Sequence, residues 1–506
     1  VSPPSQISSG VELAEPSAAA LVEALRAVGY DASTAVADLI DNSVAAGAKN
    51  VWIRFEWAGD DSYVVLLDDG RGMSAAELRE AMRPGSRNPL DARAPEDLGR
   101  FGLGLKTASF SQARRLSVAT RTRSAPVSVR CWDLDHIGAT NSWELLTAVP
   151  SASAPRIEHI QRMGHGTLVL WEGLDRLTAR TKSSDRAAQD QFLEMIERVA
   201  AHLGMVFHRF LEGEDPRLKI YINGTSDTHH RVRPWDPFAF ADFASPEETV
   251  RGASGAAKVI GYVIKHKDRL SETEFAQAAG PAGWNAQQGF YVYRNDRMLV
   301  AGSWLSLGHG REEHHKLARL ALDLSNTADA EWGIDIKKAT AHPPPGVRVH
   351  LRRLADAIRA RARRVYARRA GYAGGAVPPV TRAWKPVKVD GRTFYRIDRD
   401  HPLVASAVAA AGAAGPAIRA LLRVLEETVP VQQIWLDATE HPEQQARPLD
   451  GVSTTEIEDI IRQTLLALQR GGFSPAQAQA RVASMDPFNH HADVVAAVAA
   501  GLTRGV

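Results

Sequence analysis

Asp38-Leu39-Ile40-Asp41-Asn42-Ser43, Asp68-Asp69-Gly70-Arg71-Gly72-Met73 and Gly99-Arg100-Phe101-Gly102-Leu103-Gly104-Leu105-Lys106 follow one another early in the chain, and together they describe a nucleotide site. The first lies in an amphipathic helical pattern whose apolar face is Leu21, Leu25, Val28, Val36, Leu39 and Ile40. Asp38 and Asn42 stand four residues apart, so one helical face aims both polar side chains. The second follows the apolar run Tyr63-Val64-Val65-Leu66-Leu67, a buried-strand pattern that delivers Asp68 to the strand end. A carboxylate there can accept a hydrogen bond from the exocyclic amine of adenine, while Gly70 and Gly72 remove Cβ atoms where the backbone turns close to a ligand. The third opens a helical pattern, Leu105-Lys106-Thr107-Ala108-Ser109-Phe110. Its free amides and dipole suit a phosphate, Lys106 adds positive charge, and Asn42 is placed to hold the Mg²⁺ that accompanies such phosphates.

Each piece alone has an ordinary explanation. A Gly-x-Gly is commonly a turn, and an Asp-Asn pair late in a helix is commonly a cap or a solvated face. The order of the pieces, completed by Gly166-Thr167 ahead of the strand Leu168-Val169-Leu170-Trp171, argues for one site. A P-loop is excluded because Leu105 separates Gly104 from Lys106, and a dinucleotide fingerprint because the glycines follow a polar link rather than a strand. That link, residues 83–98 with Pro84, Pro89 and Pro95, reads as a lid able to order over bound nucleotide.

This ordered set resembles the GHKL ATPase superfamily, which includes gyrase-type topoisomerase subunits, MutL mismatch-repair proteins, MORC proteins, heat-shock chaperones and histidine kinases. The resemblance covers residues 21–171 and implies an α/β fold whose N-terminal part is a GHKL (Bergerat) α/β sandwich. It implies ATP and Mg²⁺ as cofactors, with Asp68 on adenine, Thr167 assisting through a hydroxyl or a bound water, and Asn42 as the Mg²⁺ ligand. Gly70, Gly72 and Met73 would line the nucleotide, while Gly99, Phe101, Gly102, Leu103, Gly104, Leu105, Lys106 and Thr107 would wrap the phosphates. Asp38 falls where these ATPases normally place a glutamate that orients and deprotonates water. The shorter acid predicts ATP binding with slow hydrolysis, because a general base works only within hydrogen-bond reach. Asp41 points to another side of the helix and is the weaker base candidate.

At 506 residues with a formal net charge of +2, the chain has room for two to four domains, and its near-balanced charge confines any nucleic-acid argument to local patches. The single cysteine, Cys131, excludes an internal disulfide framework and a cysteine-rich zinc site, which fits a reducing cytoplasm. No apolar run approaches the roughly 20 residues that span a bilayer, so no membrane partner is expected and the expected location is the cytoplasm, a prokaryotic one by the family resemblance. The absence of a helical dimerisation segment with a phospho-accepting histidine before the motifs weighs against a histidine kinase.

Four segments are expected: a GHKL ATPase domain over 1–212, a transducer-like α/β domain over 213–370, a linker over 371–384, and a mixed, helix-rich C-terminal module over 385–506. A helical pattern over 192–211 closes the first, and a strand over 218–224 opens the second. Further strands are expected over 257–265 and 289–300, the latter a hairpin turning at Asn295-Asp296, with helix around Leu317 and again from Val347. This region resembles the transducer domain of the gyrase, MutL and MORC branches. The resemblance implies a lysine reaching back to the γ-phosphate, for which Lys338 or its neighbour Lys337 is the candidate. Glu331, Asp335 and Lys337 also offer a rival reading as part of a metal-dependent nuclease core, but no partner acid precedes them on a matching strand.

Residues 348–369 form a helical pattern dense in arginine, and Arg352, Arg359 and Arg363 are candidate contacts to a DNA backbone if that face is exposed. In the C-terminal module short strands are expected near 387–397 and 431–436, with helices from Leu403, over 457–469 and over 475–483. The paired histidines His229-His230, His314-His315 and His490-His491 read as surface features without a ligand set. The module reads as a site of protein docking or assembly. The resemblance implies an ATP-dependent homodimer gripping double-stranded DNA, similar to bacterial MORC-like ATPases of restriction-modification and phage-defence systems. A chaperone-like protein clamp and a nucleotide-sensing scaffold with little hydrolysis are the alternatives.

Overall fold

The computed structural model describes residues 16–27, 29–85, 104–178, 181–224, 230–252, 255–325, 331–334, 340–367, 383–389, 392–434, 449, 451–485, 487–488 and 491–504. They divide into two compact units, Val1–Ala367 and Arg368–Val506.

The first unit opens with two helices, α1 (Ala18–Arg26) and α2 (Ala32–Ala45). Asp31 starts α2 by accepting from the Thr34 amide at 2.9 Å, a side-chain cap for one of the unpaired first-turn N–H groups. Strands β1 (Asn50–Glu56) and β2 (Tyr63–Asp68) then pair antiparallel, with Val51 opposite Asp68. Helix α3 (Ala75–Met82) begins in a capping box between Ser74 and Glu77. Helix α4 (Gly104–Gln112), β3 (Arg115–Arg121), β4 (Ser128–Asp133) and β5 (Gly166–Glu172) follow. With β6 (Lys219–Ile222) they complete a six-stranded sheet in the order β4-β3-β5-β2-β1-β6. Residues 218–224, expected to open a new domain, instead add β6 to the first sheet through parallel pairing of Val51 with Ile220.

The two-residue period of a strand decides which side chains this sheet buries. Val64, Leu66 and Asp68 share one face of β2, and Val51, Ile53 and Phe55 share the matching face of β1. Helix α2, helix α4 and the long helix Arg186–Val206 bring Val36, Leu39, Ile40, Phe110, Val199 and Leu203 into the same core. Each such side chain contributes roughly 2 kcal/mol by leaving water. Asp68 is therefore carried into the interior by the alternation that buries Val64 and Leu66.

The second sheet runs β11-β10-β12-β9-β7, with β8 also on β9. Its strands are β7 (Ala241–Ala244), β8 (Glu248–Gly252), β9 (Gly255–Ile264), β10 (Gly289–Arg294), β11 (Arg297–Ser303) and β12 (Ala318–Leu324). Asn295 and Asp296 turn the β10–β11 hairpin with φ of 47° and 65°, the pair of positive values a tight hairpin turn needs. The helix expected around Leu317 is corrected to β12, which lies between β10 and β9. Its apolar residues Leu320, Leu322 and Leu324 satisfy a strand buried on both faces as well as they would a helix. The helix Pro345–Ala367 packs Leu351, Leu354, Ala355 and Ile358 into this second core.

The second unit contains the hairpin β13 (Trp384–Val389) and β14 (Arg392–Ile397) and a helical core of Ile457, Ile461, Leu465, Val482, Met485 and Val495. Residues 431–434, expected as part of a strand, are helical and are separated from the helix Gly415–Thr428 by the non-helical Val429 and Pro430. Among the described residues no single helix is long and apolar enough to cross a membrane.

Candidate nucleotide site

Asp68 ends β2 with 4% of its surface exposed. Its Oδ1 accepts from the Gly70 amide and its Oδ2 from the Ser43 hydroxyl, both at 2.9 Å. Burial pushes its pKa up to about 6, against the opposing pull of hydrogen bonds from Gly70, Ser43 and Thr167. The two oxygens of an ionised carboxylate offer about four lone-pair sites, so these bonds leave further acceptor capacity for a ligand amine.

The loop after Asp68 is held from two strands. The Met73 amide donates to Thr120 Oγ1 at 3.0 Å, and that hydroxyl donates to the Gly166 carbonyl at 2.9 Å and lies 3.1 Å from Thr167 Oγ1. His165 Nδ1 meets the Gly70 carbonyl at 2.7 Å. Gly72 has φ +69°, and a Cβ there would fall 1.9 Å from the Arg121 carbonyl oxygen. Gly166 has φ +143°, and its Cβ would fall 2.2 Å from the Asp68 carbonyl oxygen. Side chains at either position would push β2, β3 and β5 apart. Asp69 turns away and accepts from the Lys49 and Asn50 amides and from Asn50 Nδ2, each at 2.8 Å, so it fixes the start of β1.

On α2, Asp38 is buried and Asn42 is exposed, as their shared helical face at the rim of the core requires. A Cβ on Gly104 would lie 3.9 Å from Asp38 Oδ2, which sets this carboxylate beside the amino end of α4. Leu105 packs against the first core and Thr107 is buried in the first turn. Lys106 is buried as well, and its Nζ donates to the Ala81 carbonyl at 2.9 Å. Ala81 lies at the C-terminal end of α3, where a cation is favoured. Gly99, Phe101, Gly102, Leu103, most of the expected lid and both lysine candidates, Lys337 and Lys338, lie outside the described residues, as do Asp335, His229 and His490.

The sequence of this region is similar to that of known proteins. Residues 30–167 match the family model described as histidine kinase-, DNA gyrase B-, and HSP90-like ATPase. Residues 30–167 are a GHKL ATPase domain. Among curated relatives, "ATPase morc-1" of Caenorhabditis elegans is 33% identical over 88 residues, 17% of this chain and 10% of that protein. DNA mismatch repair protein MutL of Halobacterium salinarum is 35% identical over 95 residues, 18% of this chain and 14% of that protein. MutL of a Bradyrhizobium species is 28% identical over 176 residues, 33% and 25% of the two. The chain thus spans a quarter or less of the length of these relatives.

Of the expected site residues, Asp68, Gly70, Gly72, Met73 and Thr167 lie together around the end of β2, and Asp38 lies beside Gly104 at the start of α4. Ser43, Thr120 and His165 escape sequence reasoning. Ser43 had a signal, since it follows Leu39 by one helical turn on the buried side of α2. The arginine face is corrected in part. Arg359 is 9% exposed, lies 4.8 Å over the Trp304 ring and donates to the Gly310 carbonyl, so it belongs to the core. Arg352 spends Nε on the Leu307 carbonyl, whereas Arg363 is exposed.

Proposed function

We propose that the chain is a Mg²⁺-dependent ATP-binding and slowly hydrolysing clamp that closes by ATP-driven pairing of its N-terminal domains. The observation that carries this reading is Asp68, a buried carboxylate at a strand end, held by Ser43 and Gly70 with acceptor capacity to spare. In this reading Asp68 takes the adenine amine, with Thr167 and Met73 beside it. Asn42 supplies an oxygen to Mg²⁺, and the first-turn amides of α4 face the phosphates. Asp38 orients the attacking water. Lys338 or Lys337 is the sensor of the γ-phosphate.

Double-stranded DNA is the proposed object of the clamp, by way of Arg363 and its exposed neighbours. The relatives are named a MORC ATPase and mismatch-repair MutL proteins, which favours nucleic acid over polypeptide as the substrate. A role in prokaryotic defence or restriction-linked processing follows from the family resemblance, and partner proteins are assigned to residues 385–506. Titration calorimetry with ATP and Mg²⁺ tests the core of the reading: native protein releases heat and Asp68→Asn does not. Sizing with ADP and with a non-hydrolysable ATP analogue, each with and without duplex DNA, tests the clamp. An analogue-bound monomer would end that part of the proposal.

Asp38 favours a second reading, a nucleotide-sensing scaffold that cleaves ATP barely at all. Phosphate release no faster than that of Asp38→Ala would select it.

A further inference from the structure

We propose that Glu312, His314 and His315 form a binding site for one divalent transition-metal ion of the zinc class, separate from the nucleotide site. The short turn Glu313–His315 and Glu312, the residue that precedes it, gather three side chains drawn from four consecutive residues. His314 Nε2 lies 2.9 Å and His315 Nδ1 3.1 Å from the same carboxylate oxygen, Oε2 of Glu312. The two rings stand with centroids 4.1 Å apart, and the three donor atoms all fall within 4.8 Å of one another. Tetrahedral Zn²⁺ with bonds near 2.0–2.1 Å has ligand-to-ligand edges of about 3.3 Å, so these donors need only small movements to enclose the ion.

The buried nitrogen is the second observation. His315 is 7% exposed, and its Nδ1 is sealed from solvent without a hydrogen-bond partner among the described residues, although it faces Glu312. An unpaired buried polar atom costs roughly 1–3 kcal/mol, and a cation between nitrogen and carboxylate removes that cost. Arg359 Nη2 stands 3.6 Å from Glu312 Oε1, which orients the carboxylate from behind and leaves Oε2 to the ion. The side chain of His314 is 40% exposed, which supplies a route of entry and an open fourth position for water. Lys316 does not compete for this carboxylate, because it pairs with Glu313. A second cluster, His208, Glu212 and Asp236, lacks this character, since His208 commits one ring nitrogen to Glu212 and the other to the Tyr293 hydroxyl. Two imidazoles and one carboxylate select Zn²⁺ or its neighbours over the all-oxygen preference of Mg²⁺.

The bound ion would brace the loop ahead of β12 against the helix Pro345–Ala367, because Arg359 joins Glu312 to that helix. The test is titration calorimetry of the full chain, stripped with chelator, using Zn²⁺, together with the visible absorption of added Co²⁺. Native protein is expected to take up one equivalent with a four-coordinate Co²⁺ spectrum. His314→Ala and Glu312→Gln should each weaken binding at least about ten-fold, the scale on which metal sites respond to lost ligand interactions. His136→Gln, at an exposed histidine paired with Glu144, should leave binding unchanged. The half-exposed His314 side chain can be shortened without opening the core, so a folding failure cannot mask the result. No uptake by native protein, or uptake unchanged in His314→Ala and Glu312→Gln, overturns the proposal.

Discussion

Arg297, on the β10–β11 hairpin, places Nε 3.0 Å from Oδ1 of Asp41 in α2, and the two side chains are 4% and 3% exposed. Asp41 stands between Asp38 and Asn42, so this one ion pair joins the helix carrying the proposed base and metal ligand to the second sheet. Arg297 also donates to the Met298 carbonyl and lies 4.8 Å over the Phe207 ring. His202 nearby is held down at about 4 by burial and by the Arg297 charge. A buried pair gains little net stability, because desolvation offsets attraction, but removing one partner strands the other. Arg297→Met should therefore destabilise the protein by about 3–5 kcal/mol, and adding Asp41→Leu should recover most of that loss. Urea denaturation of the four proteins closes the cycle, and simply additive losses would show that the two residues are not coupled.

The Asp68 carboxyl makes both stability and nucleotide affinity depend on pH, with opposite signs. Its folded pKa of about 6 lies above the ordinary 3.8, so the folded chain holds this proton more tightly than the unfolded chain. The stability linked to that proton is complete below the unfolded value and is lost as pH rises through about 6, a change of about 3 kcal/mol. Asp68→Asn should remove this slope, read as the difference between the two proteins in denaturation at about pH 4 and about pH 8. An ionised carboxylate accepts from the adenine amine more strongly than a protonated carboxyl does, so ATP affinity should fall as pH drops below about 6. Calorimetry giving one affinity throughout that range would separate Asp68 from nucleotide recognition.

The nucleotide half of the molecule is legible because its parts are local in sequence. A strand of period two ending in Asp68, glycines after it and a helix opening at Gly104 can each be recognised within a few residues. What stays hidden depends on partners far along the chain. Arg297 and Asp41 are 256 residues apart. Thr120 reaches the Asp68 loop from β3, and β6 joins β1 across the whole domain. Residues 318–324 are apolar enough to suit either helix or buried strand, and only their neighbours on both sides decide. Arginines spaced along a helix do not reveal which one a distant Trp304 will cover. The histidine pair at 314–315 looked bare because its third member, Glu312, is recruited by a turn rather than by regular spacing.

Asp38 tests how far reach limits hydrolysis. Its Oδ2 lies 3.9 Å from the Cβ position of Gly104, so one more carbon–carbon bond, about 1.5 Å, would carry the carboxylate toward the amino end of α4. Asp38→Glu is expected to raise phosphate release about ten-fold, within the range general bases contribute, and Asp38→Ala to abolish it while ATP still binds. Equal rates for Asp38→Glu and Asp38→Ala would exclude this residue as the base.

Gly72 offers a structural control on the same pocket. Gly72→Ala combines a φ of +69° with a Cβ 1.9 Å from the Arg121 carbonyl oxygen, so the Asp68 loop must move off β3. The expected result is a loss of about 2 kcal/mol or more in stability together with loss of ATP binding. A variant of native stability that still binds ATP would show that this loop does not shape the pocket.

The arginine helix separates DNA contact from packing. Arg348 and Arg352 donate to the Ser306 and Leu307 carbonyls, Arg353 pairs with Glu248, and Arg361 lies 3.6 Å over the Phe243 ring, so these charges are already engaged. Arg359 is buried over Trp304, while Arg363 is exposed on the outer face. Arg363→Glu should weaken duplex binding at every sequence and lower the slope of log affinity against log salt by about 1, leaving the melting temperature unchanged. Arg359→Met should instead lower thermal stability, because it removes the donor to the Gly310 carbonyl and the guanidinium that stands beside Glu312 and over the Trp304 ring. Fluorescence anisotropy with a labelled duplex across a salt series, run beside thermal denaturation, reads both effects. An unchanged salt slope in Arg363→Glu would remove this helix from the DNA path, since a phosphate contact cannot be lost without releasing its share of counterions.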